Sequence, residues 1–250
     1  MPVYPNDALI PGLRDLWKKA FGDTDEFLDL FFSTAYAPRR CRCIADGDAV
    51  QSVLYWFDCF LEGQKIAYIY AVATDPDCRG RGLCRMLMED TMEVLRERGY
   101  TAAVLLPQEE WLINMYAGMG FAPCTTVTEK LFPAGDAIPA RQIGEEEFAR
   151  LRRSLLPAGG VIQEDENIAF LAGMAKFYAG DHFLAAVMEN DGEVWCPEFL
   201  GDPAAFPGLV KILGFSEGRC RMPGEERPFA MFRPLRKDAP IPHYFGLVFD

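Results

Sequence analysis

Between an apolar run and an amphipathic one the chain carries Val72-Ala73-Thr74-Asp75-Pro76-Asp77-Cys78-Arg79-Gly80-Arg81-Gly82-Leu83-Cys84. Gly80 and Gly82, one residue apart, let the backbone turn tightly enough for successive N–H groups to converge with the positive end of a following helix. Such a point holds an anion, and Arg79 and Arg81 add charge beside it. No Lys followed by Ser or Thr comes after the glycines, so the pattern is not that of a nucleoside-triphosphate loop. The third glycine of a dinucleotide fingerprint is missing as well. The competing reading of the same residues is a strand-to-helix turn that needs glycine and binds nothing. Metal chemistry has little to work with. His182 and His243 stand alone, and Cys41 and Cys43 point to one face of a strand without supplying four ligands. No metal is expected.

The elements that must position this loop follow from periodicity. Leu13, Leu16, Trp17 and Ala20 predict a helix over 9–21, ended by Gly22. Asp23 and Glu26 then predict a capping box for a second helix, with Trp17, Phe27, Phe31 and Phe32 as core rather than a recognition stripe. Strand-like runs at 41–45, 52–61 and 65–74 are punctuated by Asp46-Gly47 and Glu62-Gly63 and read as an antiparallel meander. A helix over 82–98 turns Leu83, Met86, Leu87, Thr91, Met92 and Leu95 inward and stops at Gly99. A strand at 101–106, a short helix at 109–118 and a strand at 121–132 complete an α/β arrangement with one β-α-β crossover.

The proline- and glycine-bearing stretch 133–139 predicts a boundary, dividing the chain into regions 1–134 and 135–250. In the second, 143–156, 167–178 and 203–213 read as helices. The runs 183–188 and 193–196 flank an Asn190-Asp191-Gly192 turn, and 218–222 and 228–233 read as strands. The apolar run 244–249 is expected to be tucked into a sheet or groove. Met119-Gly120-Phe121 and Leu213-Gly214-Phe215 form a faint internal echo, readable as duplication or as coincidence.

This order of elements around an Arg-Gly-Arg-Gly loop resembles the GCN5-related N-acetyltransferase (GNAT) family over residues 13–132. The family pattern of Arg or Gln, two residues, Gly, one residue, then Gly or Ala is met by Arg79 and Gly82. Gly80, Arg81 and Leu83 fill the variable places, and Cys84 replaces the small last residue. The resemblance implies a mixed, mostly antiparallel sheet flanked by helices, with the loop amides of Arg79 to Cys84 binding the diphosphate of acetyl-coenzyme A. It also implies that the main chain of Val72, Ala73 and Thr74 pairs with the pantetheine arm and polarises the acetyl carbonyl. Met115-Tyr116-Ala117-Gly118-Met119-Gly120-Phe121 is similar to the family's Leu-Tyr-x-x-x-Gly-Phe segment, which implies Tyr116 as the acid that protonates the departing thiolate. A core tyrosine with one hydrogen-bond partner is the other reading. Glu109 stands where the family often has asparagine and is a candidate base for the amine, as are Glu110 and Glu62. The whole chain resembles tandem members with a degenerate, smaller α/β second half, such as the enhanced-intracellular-survival acetyltransferases. That half lacks an Arg-Gly-x-Gly loop between Asn190 and Pro203, so its implied task is structural. The C-terminal carboxylate of those relatives implies Asp250 as a further catalytic candidate.

Composition narrows the partners. With 25 basic and 37 acidic side chains the formal charge is −12, which repels nucleic acid and anionic membranes and suits a cationic or neutral substrate. There is no basic stretch followed by an apolar run and no unbroken apolar stretch long enough to span a bilayer, so a cytoplasmic location is expected. Eight cysteines without a CxxC pair are expected as reduced thiols. The expected activity is transfer of an acetyl group from acetyl-coenzyme A to a primary amine of a small, cationic molecule, by a monomer or homodimer. The alternatives are an inactive acyl-coenzyme A-binding regulatory module and a protein or peptide N-acetyltransferase.

Overall fold

A computed structural model describes residues 1–190 and 192–249. The chain divides into two compact units, one of Met1–Ala122 with Met231–Pro240, the other of Pro123–Ala230 with the residues from Ile241 on. Each has a mostly antiparallel sheet flanked by helices.

In the first unit, helix α1 (Ile10–Phe21) ends where Gly22 turns left-handed and donates its N–H to Lys18 O at 2.9 Å. Helix α2 (Asp25–Thr34) is capped by Thr24, whose Oγ1 accepts from Phe27 N at 3.3 Å. Asp23, expected as the cap, sits one residue too early and instead accepts from the indole N–H of Trp17 at 2.7 Å. Strands β1 (Cys41–Asp46), β2 (Ala49–Leu61) and β3 (Gln64–Thr74) form the meander. Helix α3 (Leu83–Glu97) then returns the chain to β4 (Ala102–Leu105), parallel to β3, and helix α4 (Glu110–Ala117) follows. On one face of this sheet Trp17 packs against Phe31, Tyr55 and Tyr70, with ring centroids 4.7, 5.2 and 5.8 Å away. On the other, Leu87, Met88, Met92 and Leu95 of α3 cover Leu54, Trp56, Ala67, Ile69, Ala103 and Leu105. Met86, expected inward, is 48% exposed; Met88 takes the inner place because it stacks with Met92 one turn on.

The run expected as one strand over 121–132 is two. Ala122–Pro123 is followed by Thr126–Pro133, which belongs to the sheet of the second unit. The sheet of the first unit is extended instead by Met231–Pro234, antiparallel to β4 from Met231↔Leu105 to Pro234↔Ala102. Likewise the run 228–233 divides at Phe229 and Ala230, whose N–H groups bond the main-chain and side-chain oxygens of Thr125.

The second unit orders its strands as Arg227–Pro228, Thr126–Pro133, Glu217–Pro223, Glu193–Gly201, Phe183–Asn190, Lys176–Gly180 and Arg141–Ile143. Only Glu193–Gly201 and Glu217–Pro223 run parallel among these pairs. Helices α5 (Glu145–Leu155), α6 (Glu166–Ala172) and α7 (Phe206–Ile212) flank it. The helix expected over 167–178 stops at Ala172, and Lys176–Gly180 is a strand that buries Phe177 and Ala179 in alternation. The C-terminal run is buried as expected but is not a strand. Gln163 pairs through its side-chain amide with both main-chain groups of Leu247, and Tyr244 donates to Glu198 Oε1 at 3.1 Å. Glu198 is itself held by Arg152 at 2.6 and 3.0 Å, both side chains being about 1% exposed.

The echo in the sequence is a shared way of ending helices. Gly120 and Gly214 are left-handed, and the following Phe121 and Phe215 donate to Tyr116 O and Val210 O at 3.1 and 3.2 Å. Gly99 and Tyr100 do the same to Leu95 O, which makes the echo weak support for duplication. All eight cysteines are free thiols. Among the described residues no helix is long and apolar enough to cross a membrane.

Candidate active site

Strands β3 and β4 are paired only from Ile66↔Ala102 to Tyr68↔Val104. Beyond that point β4 ends at Leu105, while β3 runs on to Thr74 with its other edge bonded to β2. The main chain of 69–74 on the β4 side is therefore open to an extended ligand, as a sheet edge is open to a strand. Within this stretch Ala71 is left-handed at φ 47, and the register with β2 shifts between Val53 and Tyr55. This is a β-bulge built on a non-glycine residue, a strain of roughly 1–3 kcal/mol that re-aims Val72, Ala73 and Thr74. Sequence reasoning misses it, because an alanine carries no sign of a positive φ.

After Thr74 the chain makes one 3-10 turn, Pro76–Cys78, and enters α3 through Gly80 and Gly82 at φ 74 and 75. A Cβ added at either glycine would meet nothing within 4 Å, so each serves its backbone angle and faces open space. Gly82 occupies the N-cap without a side-chain bond, and the first turn of α3 has no acidic residue. The first turns of α2, α4 and α5 carry two, one and three, whereas those of α1 and α7, like that of α3, carry none. The first N–H groups of α3, at Leu83 and Cys84 among them, thus have no acceptor from a capping side chain or a first-turn carboxylate.

Arg79 donates to Thr74 O at 3.3 Å and Arg81 to Asp77 O at 3.0 Å, which braces the loop while both guanidinium groups stay exposed. The Asp75 carboxylate accepts from Lys19 Nζ at 3.0 Å and from Asp77 N at 3.0 Å, and the Lys19 hydrogen bond holds its pKa below the usual carboxylate range. Lys19, on α1, is raised in turn by that bond.

Tyr116 lies in the last turn of α4, 6% exposed, with its ring 5.9 Å from that of Phe121. Burial pushes its pKa well up, and a neighbouring Cys84 thiolate would push it further, so the phenol stays protonated and able to donate. No group among the described residues hydrogen-bonds its hydroxyl. Cys84, half-buried, packs toward the same core as Tyr116, and burial raises its thiol. Tyr116 and the loop are thus brought together through the first turn of α3. Glu109 is at the N-cap of α4, exposed, about 10 Å along the helix from Tyr116. Glu110 is exposed in the first turn of the same helix. Glu62 sits in the β2–β3 turn, at the far end of β3 from the loop, about 30 Å away by strand rise. Asp250 lies outside the described residues. One contact was not foreseen from the sequence. Arg85, in the first turn of α3, donates from Nη1 to Gly118 O at 2.8 Å, at the end of α4.

Residues 4–124 match the family described as Acetyltransferase (GNAT) domain. No curated protein matches the chain. Among solved structures it is similar to a GCN5-related N-acetyltransferase from Anabaena variabilis, with a TM-score of 0.75 and 13% identity over 94% of this chain and 73% of the other. A GCN5-related N-acetyltransferase from Kribbella flavida gives 0.73 and 16%, over 94% and 70%. Eis1 from Mycobacterium abscessus gives 0.66 and 12%, over 94% and 74%.

Proposed function

From the match of residues 4–124 to the GNAT acetyltransferase domain we propose that the chain is a GNAT acetyltransferase that transfers an acetyl group from acetyl-coenzyme A to a primary amine of a small molecule. The observation that carries this reading is the first turn of α3, uncapped and free of acid beneath two open-sided glycines, beside the open edge of β3. The diphosphate binds the amides of 80–84 with Arg79 and Arg81 beside it. The pantetheine arm lies along Val72, Ala73 and Thr74, whose main-chain donors stabilise the oxyanion.

The neutral amine attacks the acetyl carbon, forming C–N while C–S breaks. The amine proton passes to a base or through water, and the coenzyme thiolate takes the phenolic proton of Tyr116, which solvent restores. Glu109 and Asp250 are the candidate bases. The net charge of −12 supports a cationic acceptor.

Two measurements test the proposal. Calorimetry is expected to show saturable binding of acetyl-coenzyme A. A coenzyme A-release assay over amines, aminoglycosides, amino acids and peptides is expected to find an amine that accelerates release. Binding without release across the panel would make the chain a binding module, and no binding at all would end the proposal.

A further inference from the structure

The contact between Arg85 and Gly118 joins the two parts of the site that the proposed reaction needs to keep in register. Arg85 is the third residue of α3, in the same turn whose amides face the anion. Gly118 caps α4 two residues after Tyr116. The guanidinium spans the gap at 2.8 Å and adds its positive charge to the carbonyl end of α4, where a helix favours it. Glu89, one turn on, attracts Arg85 electrostatically, but its carboxylate is hydrogen-bonded by Arg233, at 3.1 and 2.8 Å.

The contact is close on both sides. Gly118 has ordinary right-handed angles, φ −64 and ψ −9, and a Cβ added there would come to 3.3 Å from Arg85 Nη2, so the guanidinium lies directly against the last turn of α4. No group among the described residues hydrogen-bonds the Tyr116 hydroxyl, so its place relative to the cofactor loop is set by the core packing of its ring and by how the end of α4 is held.

We infer that Arg85 is a positioning residue that carries occupancy of the cofactor loop to the α4 turn bearing Tyr116. The inference rests on the proposed function and deepens it. Hydrogen exchange with acetyl-coenzyme A as the probe reads it without an acceptor. In the unsubstituted protein the ligand is expected to slow exchange at both 80–86 and 117–121. In Arg85→Ala only 80–86 is expected to slow.

Turnover with the best amine of the release panel gives a second reading. Arg85→Ala is expected to lower kcat about 10-fold with KM for acetyl-coenzyme A within about twofold, and Arg85→Lys to recover most of the loss. In a Tyr116→Phe background the Arg85→Ala change is expected to alter kcat by less than about twofold, because the two act as one unit. Retained slowing at 117–121 in Arg85→Ala, or the same kcat loss in both backgrounds, would overturn the inference and leave the proposed function standing. A ligand that slows nothing at 80–86 in the unsubstituted protein would remove both.

Discussion

Gly82, at the N-cap of α3, and Tyr116, in the last turn of α4, are proposed for different tasks, and substitution separates the two demands. At Gly82 the left-handed backbone makes any side chain strained, yet a Cβ meets empty space. Gly82→Ala therefore carries about 1–2 kcal/mol of backbone strain without a clash, whereas Gly82→Glu adds a carboxylate where the proposed function puts the diphosphate. Calorimetry is expected to show Gly82→Ala weakening acetyl-coenzyme A binding several-fold and Gly82→Glu by a further factor on the order of 10 or more, with kcat at saturation largely kept. Equal affinities for the Gly82→Glu variant and the unsubstituted protein would take the anion away from this turn. Tyr116→Phe is expected to lower kcat on the order of 10²-fold with little change in cofactor binding. Because burial raises the phenol above its ordinary value near 10, it remains an acid through neutral pH and beyond. Any fall in kcat between about pH 7 and 9 then belongs to another group and is expected to persist, unshifted, in Tyr116→Phe. The left-handed turns at Gly80 and Gly82 and the helix-end place of Tyr116 were readable from the chain because glycine at one-residue spacing and a tyrosine before a helix stop have few uses. Ala71 and Arg85 were not, since a strained alanine and a bridging arginine look like any others until their neighbours are known.

Elements were readable where local periodicity decided them. The helices α1 and α3 and the meander fall close to their expected spans, because one buried face recurs within each segment. The run 167–178 misled because its first half has helical spacing and its second half alternates. The change comes after Gly173, and the strand gains partners on both sides, Phe183–Asn190 and Arg141–Ile143. The C-terminal run shows how side chains can replace a ladder. Arg152 on α5, Glu198 in Glu193–Gly201 and Gln163 hold 244–249 without a strand, and Gly246 leaves no room for a side chain, since a Cβ would lie 1.8 Å from Glu198 Oε1. Removing one partner strands the other's charge in the interior. Arg152→Met is expected to destabilise the protein by about 3–5 kcal/mol, and Tyr244→Phe, which removes one neutral donor to a carboxylate, by about 1–3 kcal/mol. Chemical denaturation measures both. A change below about 1 kcal/mol in Arg152→Met would show that the pair is wet and the C-terminal run held by its apolar side chains alone.

At the scale of the molecule the chain order and the unit order differ, which no local pattern announces. Residues 126–133 look like the last strand of the first sheet and 231–234 like part of the second, yet each is in the other unit's sheet. The strand Met231–Pro234 does three things for the first unit. It occupies the free edge of β4, it brings Met231 and Leu235 into the core under α3, and it carries Arg233, which donates to Glu89 at 3.1 and 2.8 Å. Arg96 of α3 also bonds Leu235 O at 3.2 Å. A fragment ending at residue 134 keeps every residue proposed to bind the cofactor and Tyr116, but exposes the four-residue β4 as an edge and opens the core beside it. Such an edge invites association. We expect the 1–134 fragment to aggregate or lack cooperative unfolding, and the same fragment linked to 231–240 to recover a monomeric, cooperatively melting state that binds acetyl-coenzyme A. Size-exclusion chromatography, thermal melts and calorimetry on the pair decide it: a monomeric 1–134 fragment that melts sharply would mean that the closing strand is dispensable and the first unit is set by its own contiguous sequence.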